Sequence, residues 1–165
     1  MWDVFVISFA LTAAIGDLCW RKIPRLFTVT GFVIGLVFHA WHGGFPSAVT
    51  AGLLGFIIGL AFFQLGAVGG GDVKLVAALG ALLGLAKWVM AMKAAVLVAG
   101  AMALVQMIRH GAVRQTLYNL GQIIRSLLVA GLNPHPVINV QNPSAIRSPF
   151  GVAAAVGTLV AVFWH

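Results

Sequence analysis

The amino-acid sequence describes an all-α, polytopic membrane protein, and three properties say so together. Hydrophobic residues make up 61% of the chain and charged residues only 8%, against roughly 25% charged in soluble domains. Mean hydropathy is +1.05. The apolar residues also gather into runs close to bilayer length, separated by short breaks rich in glycine, proline or basic residues. A chain of 165 residues has room for six spans of about 20 residues and little else. Residues 1–165 are therefore read as one transmembrane domain.

The first run covers about 2–18, with Asp17 at its end. No basic region precedes it and no cleavage site follows, so it reads as a retained span and not as a signal peptide. A basic hinge at 20–25 comes next, where Pro24 interrupts any continuing helix. The second span runs over about 26–41 and ends in a turn at 42–46, His-Gly-Gly-Phe-Pro. The third covers about 48–66 and leads into a glycine-rich loop at 67–71 before Asp72. The fourth and fifth cover about 73–90 and 93–108. Their small residues, Gly80 and Gly84 among them, are expected to serve close helix packing.

Between 109 and 129 the texture changes. Arg114, Gln115, Tyr118, Asn119, Gln122 and Arg125 interleave with Val113, Leu117, Leu120, Ile124 and Leu127 at helical spacing. This predicts one amphipathic helix lying on the membrane surface. A loop over 133–148 then leads to the last span, about 149–164.

Ten Lys and Arg face three acids, Asp3, Asp17 and Asp72, with no glutamate. A nucleic-acid binder would interleave its bases with aromatics on a soluble module, whereas these bases sit in short loops between apolar runs. Six spans place Arg21, Lys22, Arg25, Lys74, Arg109, Arg114, Arg125 and Arg147 on one side. That side is expected to be cytoplasmic, with both termini outside; Lys87 and Lys93 fall near the opposite turn. Cys19 is the single cysteine, which excludes an internal disulfide or a CxxC metal motif, and a small packing role is expected for it. His39 and His42, despite their spacing, read as interface residues at the outer turn, and Asp3 as a solvated terminal acid.

Asp17 and Asp72 stand apart, because an acid in an apolar segment is costly and usually marks function. Asp72 could instead cap the helix it opens, and Asp17 could pair with Arg21. Six spans, however, put both at one membrane depth. Two carboxyls in contact share a proton, one charged and one protonated. Such a pair can deprotonate a water and protonate a carbonyl oxygen or leaving amine, which is the requirement of amide hydrolysis. Gly69, Gly70 and Gly71 would let an extended backbone approach Asp72 without meeting a Cβ, and the loop at 67–71 is expected to act as a gate. Neither P-loop nor dinucleotide-binding spacing is present.

The segment Gly69-Gly70-Gly71-Asp72-Val73-Lys74-Leu75 resembles the GxGD-Val-Lys-Leu element of the type IV prepilin peptidase family. Asp17 followed by Arg21-Lys22-Ile23-Pro24 is similar to that family's first motif, an Asp trailed by basic residues and Ile-Pro. Ser148-Pro149-Phe150-Gly151-Val152-Ala153 resembles its C-terminal Pro-aromatic-Gly element. The three come in the family's order and cover nearly the whole chain.

The resemblance implies six transmembrane helices in a bacterial plasma membrane and an aspartic endopeptidase facing the cytoplasm. It implies removal of the basic leader from prepilin or pseudopilin precursors. By motif position Asp17 and Asp72 would be the catalytic pair, with neither metal nor cofactor needed. Pro24, Gly69, Gly71 and Lys74 are read as substrate-binding or loop positions, Lys74 either tuning the pair electrostatically or snorkelling to phosphate headgroups. Arg25 departs from the family, which usually has Asn after Ile-Pro. The N-terminal methyltransferase region of longer members is missing, so methylation is not expected, and the chain looks like the small class that serves tight-adherence (Flp-type) pili. Two rival readings remain open at this stage. One is a transporter or secretion-apparatus subunit with the two acids in a proton or ion relay; the other is an intramembrane protease of presenilin type, which shares GxGD.

Overall fold

The computed structural model describes residues 1–20, 24–65, 68–109, 111, 121 and 149–164. The hinge residues Arg21, Lys22 and Ile23 and nearly all of 110–148, including the expected surface helix, lie outside them. Among the described residues the chain is all helical: α1 (Trp2–Trp20), α2 (Arg25–Trp41), α3 (Phe45–Gln64), α4 (Gly70–Arg109) and α5 (Phe150–Phe163). α1, α3 and α4 are long and apolar enough to cross a membrane, while α2 and α5 are shorter apolar helices.

On α3 the packing puts small residues inside and large ones outside, while α4 also buries Leu75, Leu79, Leu82 and Trp88. On α3 the buried positions are Ala48, Ala51, Gly52, Gly55 and Gly59. Leu53, Phe56 and Ile57 on the same helix are exposed. Lipid tails are as apolar as leucine, so large side chains gain little by turning inward, whereas small ones let backbones come close. A Cβ on Gly55 would lie 2.9 Å from the Val76 carbonyl oxygen, and one on Gly59 3.1 Å from the Val73 Cα. In the other direction, a Cβ on Gly80 would lie 2.5 Å from the Ala51 carbonyl oxygen. These pairs run in opposite order along the two helices, so α3 and the start of α4 are antiparallel. Gly31 of α2 is closed by the ring of Phe9, and Gly157 of α5 rests on the Ala91 carbonyl. The buried hydroxyls of Thr28 and Thr158 donate to carbonyls of their own helices, Arg25 at 3.0 Å and Ala154 at 2.8 Å, as a polar group in an apolar interior must.

α4 corrects the sequence reading. The expected turn near 91–92 is helical, and the break falls at Gly84, with φ 69° and ψ 171°. Gly84 is thus a turn residue and not a packing glycine. Only glycine adopts that backbone readily. The first arm, 70–83, is about 21 Å long at the helical rise. Trp88 on the second arm donates its indole N–H to the carbonyl of Val76 at 3.2 Å, so the chain bends sharply back at Gly84.

This turn joins one end of the bundle. Trp2 donates its indole N–H to Leu82 O at 3.1 Å, and the Leu85 N–H donates to Ser47 Oγ at 2.8 Å. Asp3, expected to be solvated, pairs with Lys87 at 3.1 Å. His39 and His42 bond through Nδ1 to the carbonyls of Gly35 and Phe38 on their own helix. Phe38 stacks on Trp2, their centroids 3.5 Å apart. Cys19, expected to pack, is free and exposed.

Candidate active site

The opposite end holds the other two acids. Asp17 lies in the last turn of α1 and Asp72 in the first turn of α4. Both are half-buried. Helix α1 ends where α4 begins, so two acids 55 positions apart in sequence share one end of the bundle.

Each carboxylate is held through one oxygen by a glycine N–H. Gly69 N–H donates to Asp72 Oδ2 at 3.0 Å. In return the N–H groups of Asp72 and Val73 donate to the Gly69 carbonyl at 3.1 and 3.3 Å. This closed turn fixes Asp72 at the start of its helix, in the manner of a capping side chain that bonds back to the entering strand of chain. The Gly151 N–H, at the start of α5, donates to Asp17 Oδ2 at 2.8 Å. Among the described residues neither Oδ1 takes a hydrogen bond. Two carboxyls at one end of a bundle, each anchored through one oxygen, are of the kind that can divide base and acid duties over a water held between them.

The glycine loop is shorter than its sequence suggested. Gly70 and Gly71 belong to the first turn of α4, and Gly66 and Ala67 lie outside the described residues, so the expected five-residue gate at 67–71 is corrected. Gly69 is the loop glycine against the carboxylate: a Cβ there would lie 3.3 Å from Asp72 Oδ2.

Other residues singled out from sequence sit further off. Pro24 is exposed and precedes α2 as its N-cap, with φ −58°. Lys74 follows Asp72 by two positions, and helical residues at that spacing do not face each other. Its side chain lines an apolar groove of about 210 Å³ together with Thr28, Phe32, Gly52, Phe56 and Ala77.

Sequence reasoning missed the contact of Gly151 with Asp17. The Pro-Phe-Gly element was visible, but a backbone N–H leaves no mark in sequence. Among the described residues no group of His, Cys, Asp and Glu is arranged to hold a metal ion.

Residues 4–104 match the profile of the type IV leader peptidase family. That segment contains Asp17 and Asp72 and stops short of α5. No curated protein and no solved structure matches the chain.

Proposed function

The chain belongs to the type IV leader peptidase family, and from that premise we propose that it is an aspartic endopeptidase cleaving the basic leader from prepilin-like precursors. The observation that supports the mechanism is that Asp17, in the last turn of α1, and Asp72, in the first turn of α4, lie at the same end of the bundle. In this reading the carboxylate of one takes a proton from a water held between the two. The hydroxide so formed adds to the scissile carbonyl carbon. The other, protonated, carboxyl gives its proton to the carbonyl oxygen. Collapse of the tetrahedral adduct then expels the amine, which takes up the proton abstracted from water, while one hydroxyl proton of the adduct returns to the second carboxylate and leaves the new carboxylic acid.

The loop and the helix starts suit such a substrate. A membrane-anchored precursor presents a helix whose carbonyls are shielded, and it must become extended where it is cut. The end of the bundle carrying Gly69 and Asp72 offers a backbone edge without side chains for that purpose. The basic loops of this side favour a cytoplasmic active site in the plasma membrane of a bacterium. A proton or ion relay fits less well, because relay acids tend toward mid-membrane and these two lie at helix ends.

The test is direct. The purified protein, in detergent or liposomes, is incubated with a prepilin or pseudopilin precursor, and the product is sized by gel and mass spectrometry. A product shortened by the basic leader is expected. An intact precursor, with the protein shown to be folded, would overturn the proposal.

A further inference from the structure

Resting on the peptidase reading, we infer that Gly151 is a positioning residue for Asp17, so that α5 is a working part of the active site and not only a packing helix. Helix α5 opens without a side-chain cap, because its N-cap residue is Pro149. The first N–H groups of a helix have no partner inside it and carry partial positive charge. One of them, on Gly151, is spent on the carboxylate of Asp17, 134 positions away, at 2.8 Å. Asp17 thus caps a helix to which it does not belong.

The absence of a side chain at 151 is as specific as the bond. A Cβ there would lie 2.8 Å from the Asp17 Cβ, 3.1 Å from its Oδ2 and 3.2 Å from the Ala13 carbonyl oxygen. The first and last of these belong to rigid parts of α1, so the contact cannot be relieved by a rotamer. Gly151 is buried. The start of α5 is therefore a seat shaped to the Asp17 carboxylate, anchoring it through Oδ2. Asp17 sits in the last turn of α1, where the helix dipole opposes negative charge; the start of α5 supplies the compensating positive end. Because the family-matched segment ends at residue 104, this role belongs to a part of the chain that the family match leaves unassigned.

The test removes the donor while leaving the shape. Glycolic acid is placed at position 151 by nonsense suppression, turning the Phe150–Gly151 amide into an ester that lacks the N–H. The same replacement at Gly157, inside α5 and away from both acids, reports the general effect of losing a helix hydrogen bond. A prepilin precursor is the probe, and kcat, KM and the thermal midpoint are measured for each protein. The 151 ester is expected to lose about 10- to 100-fold in kcat, the range for one hydrogen bond to a charged oxygen. KM should stay within about twofold, since a group acting only on the reacting carboxylate leaves substrate binding alone. The 157 ester should keep its kcat. Gly151→Ala, which retains the N–H but adds the crowding Cβ, should also lower kcat with KM preserved. Unchanged kcat in the 151 ester, or an equal loss in the 157 ester, overturns this inference alone. Failure of the unaltered protein to cut the precursor overturns the peptidase reading and this inference with it.

Discussion

The indole N–H of Trp88 donates to the carbonyl oxygen of Val76, a partner that a straight helix would hold about 18 Å away along its axis. The bond is possible because Gly84 reverses the chain at φ 69° and ψ 171°. It is buried, so it also satisfies a polar group that lipid could not. Two hydrophobic arms are thereby packed against each other through a single residue.

Gly84→Ala is therefore expected to destabilise the protein by about 1–3 kcal/mol, the cost of holding a side-chain-bearing residue in a glycine-only region. The new Cβ would also stand 3.1 Å from Ser47 Oγ. Thermal unfolding in detergent measures the effect, and an unchanged midpoint would count against a turn at this residue.

A second glycine in the same arm is expected to fail for a different reason. Gly80 has helical geometry, but a Cβ there would lie 2.5 Å from the Ala51 carbonyl oxygen and 2.8 Å from the Gly52 nitrogen. Backbone cannot give way as a side chain can, so Gly80→Ala should cost about 1–3 kcal/mol by overpacking. Gly100, with nothing within 4 Å of a Cβ, is the control. Gly100→Ala should be neutral or stabilise by up to about 1 kcal/mol. Similar midpoints for the two variants would contradict the antiparallel contact of α3 with α4.

These glycines show what sequence could and could not reveal. Gly80 and Gly84 look alike in an apolar run, since composition carries neither a φ angle nor the identity of the facing helix. The turn was accordingly expected where Met90, Ala91, Met92 and Lys93 stand, beside the charged residue, and it lies earlier. Membrane character was legible because it depends on composition alone. So was the prominence of Asp17 and Asp72, because an acid at the edge of an apolar run stands out whatever the fold. Their placement at one end of the bundle followed from counting spans, although the span boundaries differ. The pairing of Asp3 with Lys87 and the seat of Asp17 on Gly151 join distant positions, and no local pattern announces either.

The Asp3–Lys87 pair offers a contrast between the two ends of the bundle. Its side chains are 52% and 32% exposed, so solvent screening leaves it worth at most about 0.5 kcal/mol. Lys87→Gln should therefore change stability little and leave precursor cleavage unaltered, as measured by initial rates. A marked loss of cleavage would mean that the far end is coupled to the site.

Gly71→Ala separates substrate approach from folding. Gly71 lies in the first turn of α4, where alanine suits a helix better than glycine by up to about 1 kcal/mol. Stability should therefore hold or rise. Cleavage should fall, because a methyl group on the residue before Asp72 would crowd the approach of an extended peptide. Rates and thermal midpoints taken on the same preparations decide it, and losses in both together would make Gly71 a structural residue.

The remaining prediction concerns the two acids themselves. Asp17→Asn and Asp72→Asn should each reduce cleavage at least about 100-fold, the usual scale for losing a positioned acid or base, while the protein still folds. The second half follows from the hydrogen bonds. Gly151 N–H and Gly69 N–H each donate to one carboxylate oxygen, and an asparagine carbonyl oxygen accepts the same bond. Asparagine also caps helix N-termini about as well as aspartate, so the seat on α5 and the closed turn at Gly69 should both survive. Asparagine cannot exchange a proton with water or with the substrate amine, so only the chemistry is removed. If capping were the whole purpose of either residue, its Asn variant would process precursor at nearly the normal rate. The paired measurement is cleavage rate against thermal midpoint for each variant. Activity lost at an unchanged midpoint assigns the carboxylate to the reaction, and activity kept in either variant reduces that residue to a cap.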